Sequence, residues 1–500
     1  MKNKKYIFNT SYILKNDLKR IIITNRGGRD LNKNDYETNK DFITVIHPIH
    51  AMMLSFFNGK KSLEQAIFEI SSFFDLPEKN ISNLISIYIE NKKEVTIEYE
   101  GQYFEFPKNV LIENKNGNFC NYNPEEFIIE GELDLITERL FLPLDLTFMV
   151  TNKCITNCVY CYADRKTNYL PLNFEQIIKI IKESKDIKIR NFDLNGGELF
   201  LYENWFELLE NLTNNGFYPY ISTKIPINID TIKKIKKLGF TTIQFSIDSL
   251  NVNVLKKTLG VADNYIIKLK ETIINCKKEN LKIRINTVIT NINSNIEELN
   301  KLILFLSKFD NIEHVNITMA GYSIYLGEEK YKNYRANRDD ILKIEQFVKK
   351  IKYENIINID FNGYAQIDEY INDDVLFKRE NFSKRAKCTG NIENFYILPD
   401  GKVTICEELY WNSNFIIGDL TKQSIMEVWN SSKAMGLFNL SKEMVQDKSK
   451  CKICKEFENC HKVPGVCWKL VVEAYGNENW TYPDPRCPYS PPPQNVFFIE

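Results

Sequence analysis

The sequence lacks the features of an exported or membrane-bound protein. Its first residues, MKNKKYIFNTSYILKND, contain neither the apolar core nor the cleavage site of a signal peptide. No apolar run approaches the roughly 18 residues of a membrane-spanning helix. We therefore expect a soluble, cytoplasmic protein without a membrane partner. Histidine is also scarce, which disfavours a metal site built from imidazoles; the four histidines are His47, His50, His314 and His461.

Net charge is almost absent, since 65 Lys and Arg residues face 66 Asp and Glu residues. A protein that binds nucleic acid normally shows an excess or a stripe of basic residues, so we expect no nucleic-acid partner. The length of 500 residues predicts about three domains, and the hydrophobic fraction of 43% is sufficient for buried cores.

Cysteine, by contrast, is frequent, with 12 residues. Without an export signal these thiols are expected to bind metal rather than to form disulfides. Ten of them fall into two spaced groups. Of the other two, Cys276 lies in a helical stretch and is expected to be a packed thiol, whereas Cys120 lies in a polar loop and has no predicted role.

The first group is Cys154, Cys158 and Cys161, in the run CITNCVYCY. Three thiolates this close together suit an iron–sulfur cluster, because thiolates are the soft ligands that such clusters select. The loop supplies no fourth thiolate. Structural zinc is the alternative, but it needs four ligands, commonly in CxxC pairs. We therefore predict a cluster with one iron open.

From about residue 141, short apolar runs alternate with amphipathic helices. This pattern predicts an α/β fold of parallel βα units, which right-handed crossovers curve into an open, partial (β/α)6 barrel. In such barrels the chemistry lies at the carboxyl ends of the strands. The predicted strands are Leu144–Val150, Asn191–Asn195, Tyr218–Ser222, Thr241–Ile247, Lys282–Ile289 and His314–Met319.

Three motifs follow strands two, three and four, namely Gly196-Gly197-Glu198, Ser222-Thr223-Lys224 and Ser246-Ile247-Asp248. Paired glycines let the backbone approach a ligand closely, and the neighbouring carboxylate can pair with an ammonium group. For Asp248, a role as a helix N-cap is about as well supported as a role in binding.

The cysteine loop and these motifs resemble the radical SAM enzymes, and Tyr160 matches an aromatic residue that the family usually carries. The resemblance implies a 4Fe–4S cluster on the triad that binds S-adenosylmethionine (SAM) through its amino and carboxylate groups and cleaves it to a 5′-deoxyadenosyl radical. It implies that the glycines and Glu198 hold the amino group, that Ser222 and Thr223 contact the ribose, and that Ser246 and Asp248 lie near the carboxylate. Lys224 departs from the family's Ser/Thr-Asn-Gly turn.

The second group resembles the SPASM extension of radical SAM peptide-modifying enzymes. The resemblance implies two auxiliary 4Fe–4S clusters, the inner one with an open iron. Six residues, where relatives usually have three, separate Cys460 from Cys467, so we expect an insertion within 461–466, where His461 is a minor candidate ligand. Spacing alone does not separate these clusters from zinc. The expected ligands are Cys451, Cys454, Cys460 and Cys487 for the outer cluster and Cys388, Cys406 and Cys467 for the inner one.

The N-terminal segment predicts three strands, at Ile7–Leu14, Leu18–Thr24 and Phe42–Ile46, followed by three helices. Gly59 is expected to cap the first helix, and Ser62 with Gln65 to form a capping box on the second. The order resembles the winged-helix, PqqD-like leader-recognition domain of pathways for ribosomally made, post-translationally modified peptides (RiPPs). That resemblance implies a precursor peptide bound as an added strand. Binding of DNA would need a basic stripe, which is missing.

Taken together, these features predict a leader-recognition domain (1–107), a bridge (108–140), a radical SAM barrel (141–345) and a SPASM domain (346–500). The implied function is radical modification of a precursor peptide, by thioether formation in the first instance, with flavodoxin or ferredoxin as electron donor. Carbon–carbon crosslinking, epimerisation and formylglycine formation are enzymatic alternatives. An escort protein that binds leaders without catalysis is the alternative of another class.

Overall fold

The computed structural model describes residues 4–27, 42–99, 101–363, 375–462 and 465–494. The chain divides into two compact units, Met1–Leu142 and Pro143–Glu500. No helix in the described segments is both long enough and apolar enough to cross a bilayer.

The first unit combines short antiparallel sheets with three helices. Strand β3 lies between β2 and β4, strand β1 lies between β5 and β8, and β6 pairs with β7. The elements are β1 Lys5–Phe8, β2 Tyr12–Asn16, β3 Ile21–Asn25, β4 Ile43–Ile46, α1 Pro48–Ser55, β5 Asn58–Ser62, α2 Leu63–Phe74, α3 Glu78–Ser86, β6 Val95–Tyr99, β7 Gln102–Phe106 and β8 Leu111–Glu113.

Two local predictions for this unit are wrong. The strand expected over Ile7–Leu14 is broken into β1 and β2, because the side chain of Asn9 accepts a hydrogen bond from the backbone of Ser11 and turns the chain. Gly59 does not cap α1, which ends at Ser55. It lies in β5 at φ +84°, where a Cβ atom would come within 2.5 Å of a backbone carbonyl oxygen. The capping box of α2 is confirmed.

The second unit begins with the parallel βα units. The elements are β9 Asp145–Met149, α4 Phe174–Asp186, β10 Asn191–Asn195, α5 Trp205–Asn214, β11 Ser222–Thr223, α6 Ile229–Lys237, β12 Thr242–Ser246, α7 Val252–Leu259, α8 Tyr265–Lys278, β13 Lys282–Ile289, α9 Ile296–Leu306, β14 Ile312–Met319, α10 Glu328–Tyr334, α11 Arg338–Tyr353 and β15 Ile359–Asn362. Five of the six predicted strands are present, β11 meets the predicted strand Tyr218–Ser222 only at Ser222, and β15 is a further parallel strand.

These strands form two sheets. Strand β9 pairs with β10, while β11 to β15 form a separate parallel sheet in chain order. Within the described residues, no backbone ladder joins β10 to β11. The predicted third strand is reduced to two residues, and the Asp193 side chain accepts a hydrogen bond from the backbone N–H of Tyr220 at 3.1 Å. The polar side chain thus replaces a ladder contact, and the parallel strands occupy two sheets.

The rest of the second unit attaches to the first of these sheets. Strand β16 runs parallel to β9 on the side away from β10, and β17 and β18 continue the sheet in antiparallel order. The remaining elements are α12 Val375–Asn381, β16 Asn394–Ile397, β17 Lys402–Thr404, β18 Ile416–Asp419, α13 Ile425–Trp429, α14 Ser432–Phe438, α15 Phe457–Lys462 and α16 Trp468–Tyr475.

Candidate active site and cysteine sets

The cysteine loop follows β9 and is held by the end of α7. The backbone N–H of Asn157 donates to the carbonyl oxygen of Leu259 at 2.7 Å, and that of Val159 donates to Thr258 at 2.9 Å. Helix α7 ends in a left-handed residue, Gly260, where a Cβ atom would lie 3.3 Å from the Asn157 side chain. A helix that the sequence pattern missed therefore positions the loop.

The three thiols of the loop share one site. The Thr156 hydroxyl lies 3.1 Å from the Cys154 sulfur and 3.4 Å from the Cys158 sulfur, so it bridges them. Burial raises the pKa of Cys158 and Cys161, and the neighbouring thiolate charges raise it further. Thiols with raised pKa stay protonated unless a metal binds them, and an iron–sulfur cluster would hold them as thiolates.

Gly196 and Gly197 pack closely against the residues that begin the cysteine loop. A Cβ atom on Gly196, whose φ is +135°, would lie 2.4 Å from the carbonyl oxygen of Thr151. On Gly197 it would lie 2.1 Å from that of Lys153. The expectation that both glycines also let the backbone approach a ligand stays a prediction. Their missing side chains let the end of β10 pack against the start of the cysteine loop.

Glu198 is 3% exposed and is hydrogen-bonded on several sides. Thr223 donates its hydroxyl to both carboxylate oxygens at 2.9 Å, and the backbone N–H of Lys224 donates at 3.3 Å. Burial raises the pKa of Glu198, while the Thr223 hydrogen bond opposes the rise. Neighbouring strand residues point to opposite faces, so Ser222 lies on the face opposite to Thr223. There it is exposed and accepts a hydrogen bond from the Gln244 side chain. Of the predicted ribose pair, the structure brings only Thr223 to Glu198.

Lys224 forms the centre of a buried polar group. Its ammonium donates to the Tyr160 hydroxyl at 2.8 Å and to the Asp248 carboxylate at 3.3 Å, and the Tyr160 hydroxyl also donates to Asp248. Burial lowers the pKa of Lys224, but the charges of Asp248 and Cys158 outweigh burial and raise it overall. The sequence marked Lys224 only as a departure from a motif.

Asp248 does not cap a helix. Asn251 is the N-cap of α7, whereas Asp248 accepts from the backbone N–H of Val288 at 3.0 Å as well as from Lys224. The capping interpretation is therefore wrong. Ser246 ends β12 two residues earlier and is nearly buried. Together, Glu198 and Lys224 present one anion and one cation beside the cysteine loop, as a zwitterionic amino acid requires.

The SPASM resemblance implied two sets among the seven later cysteines, and the thiolate charges that raise a pKa act within one or the other of these sets. Their role as cluster ligands stays a prediction. In the inner set (Cys388, Cys406 and Cys467), burial raises each pKa, and the charge of Cys388 adds to the rise at Cys406 and Cys467. The segments that carry Cys388 and Cys406 pack closely together. A Cβ atom on Gly390, two residues after Cys388, would lie 2.2 Å from the carbonyl oxygen of Ile405, the residue before Cys406.

The outer set consists of Cys451, Cys454, Cys460 and Cys487. Burial raises the pKa of Cys451 to about 12 and that of Cys487 to about 11, and in both cases thiolates of the same set add to the rise. His461 is buried between the rings of Phe457 and Trp468. Burial lowers its pKa to about 4, so its imidazole is neutral. The insertion expected within 461–466 lies partly outside the described residues.

No three His, Cys, Asp or Glu side chains among the described residues converge closely enough to hold a single metal ion. The fit to clusters rests on the donors themselves. Each set offers partly buried thiols, and the inner set and the triad each offer three, whereas the outer set offers four. Thiolates are the ligands of iron–sulfur clusters, so all three sets have donors of the right kind.

Two family models match the second unit. The Radical SAM superfamily model covers residues 148–306, and the SPASM model, an iron–sulfur cluster-binding domain, covers residues 388–461. The first match spans the triad, Glu198, Lys224 and Asp248. The second contains five of the seven later cysteines and ends before Cys467 and Cys487.

Curated relatives include GTP 3′,8-cyclases. The enzyme of Clostridium perfringens strain SM101 is 25% identical over 164 residues, which are 31% of this chain and 48% of the relative. A probable GTP 3′,8-cyclase of Saccharolobus solfataricus is 26% identical over 226 residues, 44% of this chain and 70% of the relative. The chain thus spans about half the length of the first of these relatives.

Among solved structures, Streptococcus suis SuiB bound to its precursor peptide SuiA superposes with a TM-score of 0.62 at 17% identity, covering 96% of this chain and 98% of that one. SuiB bound to S-adenosylmethionine gives 0.61 at 15% identity, covering 96% and 99%. At this identity the likeness shows a shared fold. With the two family matches, it establishes that the chain carries a radical SAM domain followed by a SPASM iron–sulfur cluster-binding domain.

Proposed function

We propose that this protein is a radical SAM enzyme that modifies a ribosomally made precursor peptide, and that the modification is a thioether crosslink. The observation that carries the proposal is the grouping of ten thiols into one set of three, beside a zwitterion site, and two further sets in the same unit. The fold shared with SuiB, whose structure holds a precursor peptide, supports a peptide substrate.

Glu198 and Lys224 are the proposed ligands of the SAM methionine group, which carries one ammonium and one carboxylate. Glu198 would accept from the ammonium, and Lys224 would pair with the carboxylate. Asp248 and Tyr160 orient Lys224 and keep its ammonium charged. When bound, the triad's 4Fe–4S cluster supplies an electron, from flavodoxin or ferredoxin, that splits SAM into methionine and a 5′-deoxyadenosyl radical.

A cavity of about 390 Å³ in the second unit is the proposed site for the core peptide. Its walls come from the loop after the triad (Asp164 and Thr167), the loop after β14 (Tyr322 and Tyr325) and Trp411. Trp411 is fixed, because its ring stacks on Tyr169 at 5.5 Å and its indole N–H donates to Asp400 at 3.1 Å. A rigid aromatic wall suits an uncharged peptide segment and excludes water from it.

The first unit is the proposed leader-binding part. Strand β4 is at the end of the β2–β3–β4 sheet, and an extended leader can add to such an edge through backbone hydrogen bonds. Removing residues 1–142 should weaken precursor binding by the second unit while SAM cleavage stays measurable. Undiminished affinity would mean that the leader docks elsewhere.

The deciding experiment is co-expression with short cysteine-containing open reading frames near the gene, followed by mass analysis. Joining a Cys sulfur to a carbon removes one S–H and one C–H hydrogen, so the product should lose two hydrogen masses, lose its free thiol and resist reductant. The matched control is the chain with Cys158→Ala, which should leave the peptide unchanged.

Other outcomes would select the alternatives. Two lost hydrogens with free thiols retained would indicate a carbon–carbon crosslink. Unchanged mass with deuterium taken up from solvent would indicate epimerisation, and conversion of Cys to an aldehyde would indicate formylglycine formation. Peptide binding without 5′-deoxyadenosine release under any reductant would favour the non-catalytic escort.

A further inference from the structure

Arg385 lies against the outer cysteine set and is almost fully buried. One of its terminal nitrogens (Nη2) is 3.5 Å from the Cys460 sulfur and donates to the Cys460 carbonyl oxygen at 3.3 Å. The other donors bond the carbonyl oxygens of Gly465 and Phe382, and the guanidinium carbon sits 3.6 Å from the Phe382 ring centre. These contacts fix the group rigidly beside a sulfur.

Burial lowers the pKa of Arg385, and the charges of Cys460 and Asp484 oppose that shift without a described carboxylate forming an ion pair. Across the described segments, no Asp or Glu forms an ion pair with it; each of its hydrogen bonds goes to a carbonyl oxygen or to the Cys460 sulfur. Burial of an unpaired cation is costly, so a nearby negative charge is required. Four thiolates around a cluster supply one.

The cations near the inner set differ in this respect. Arg486 pairs with Asp484 through two contacts of 2.8 Å, and both side chains are buried. Lys469 pairs with Glu408 at 2.7 Å and lies 3.7 Å from Glu473. Their positive charge is therefore cancelled locally. Among the contacts described here, the outer set alone has a guanidinium donor directly on a ligand sulfur.

Reduction adds one electron to a cluster, and both an N–H donor on a ligand sulfur and a nearby positive charge stabilise the added charge. We propose that Arg385 raises the reduction potential of the outer cluster above that of the inner one. An electron received at the inner set then moves to the outer set. In that transfer the inner cluster is oxidised, the outer one is reduced, and no bond or proton changes place. The proposal rests on the two auxiliary clusters of the proposed function.

The test is a redox titration followed by electron paramagnetic resonance, in the full chain with Cys154, Cys158 and Cys161 changed to Ala so that only auxiliary clusters remain. Adding Cys406→Ala removes the inner cluster and identifies the outer signal. Arg385→Met should lower the midpoint potential of the outer cluster by about 59 mV. At a fixed potential, the ratio of reduced to oxidised outer cluster should then fall about tenfold. Arg385→Gln should do the same.

The matched control is Arg379→Met, which removes an exposed arginine of α12 and should leave both midpoints unchanged. An outer midpoint that stays fixed in an Arg385 variant with full iron content would overturn the proposal. The proposal would also be overturned if, with Arg385 in place, the midpoint potential of the outer cluster were below that of the inner cluster. Absence of iron from the seven-cysteine region would instead overturn the cluster assignment itself.

Discussion

The two units of the chain bury polar groups in different ways. In the first unit, Arg20 is fully buried, yet its donors go to Asp17 and to the carbonyl oxygens of Thr137 and Arg139, and Asp17 accepts from the backbone of Leu142. In the second unit, Lys224 and Asp248 are also paired, but beside the thiols of the triad.

This difference separates structural from functional burial. The Arg20 group joins segments distant in the chain, and its charges are satisfied within the same unit. The charges of Lys224 and of the Cys158 thiolate act on each other as well as on Asp248. This interaction couples the Lys224 group to the cofactor that the triad would bind. Loss of a triad thiol is therefore expected to have the largest effect on the protein.

Replacing Cys158 with Ala should abolish SAM cleavage, because the triad then offers two thiolates. Cys276→Ala is the matched control, since Cys276 is fully buried in α8 and should affect stability alone. The measurement is 5′-deoxyadenosine release from anaerobically reduced protein. Equal release from both variants would refute the triad assignment.

Cys406→Ala should leave SAM cleavage measurable and block formation of the modified peptide, because the inner set would drop to two thiolates. Peptide mass after co-expression reports the product, and 5′-deoxyadenosine release reports the cleavage. A normal yield of product would remove the inner cluster from the mechanism.

Arg20→Met should destabilise the first unit by about 3 to 5 kcal/mol, because the buried Asp17 carboxylate is left without its cation. Hydrogen exchange of peptides from residues 4–142 measures the loss. All five tryptophans, the first at Trp205, lie in the second unit, so their fluorescence should be unchanged and serves as the internal control. A parallel loss in the second unit would show that the two units unfold together.

Glu198→Gln should weaken SAM binding by about 1.5 to 3 kcal/mol, the usual contribution of a hydrogen bond to a charged group. Lys224→Met should act similarly, while SAM lacking its carboxylate should bind the unaltered protein and the Lys224 variant equally well. Equilibrium dialysis with cluster-loaded protein gives the affinities. If the Lys224 variant loses affinity for both ligands alike, Lys224 does not contact the carboxylate.

The smallest effect is expected from His50, whose imidazole lies 2.9 Å from the Tyr88 hydroxyl. Burial lowers its pKa to about 4, below the ordinary 6.5, so the unfolded chain binds a proton that the folded unit does not. The contribution of His50 to the stability of the first unit is therefore complete above pH 6.5 and falls by up to about 1.4 kcal/mol per pH unit between pH 6.5 and 4. Hydrogen exchange across this range should show less pH dependence in His50→Phe; equal dependence would exclude His50 as the cause.

Much of the fold follows from local pattern. Strands β10 and β13 occupy the predicted residues, because apolar alternation and strand length are properties of short segments. Helix α7 was missed because it is a single short stretch of eight residues flanked by polar ones. Strand β11 is shorter than predicted because the backbone N–H of Tyr220 donates to the Asp193 side chain and not to a neighbouring strand.

The sequence by itself determined the cysteine triad, the Gly-Gly-Glu motif, the positions of the seven later cysteines and the chain order of the parallel strands, whereas the division of those cysteines into two sets stays a prediction. Only the tertiary structure decided that Thr223 rather than Ser222 meets Glu198, that Lys224 joins Tyr160 and Asp248, and that Arg385 rests on Cys460. The reason is physical. Local patterns fix backbone conformation, whereas contacts between side chains 24 to 75 residues apart depend on how the strands and loops pack.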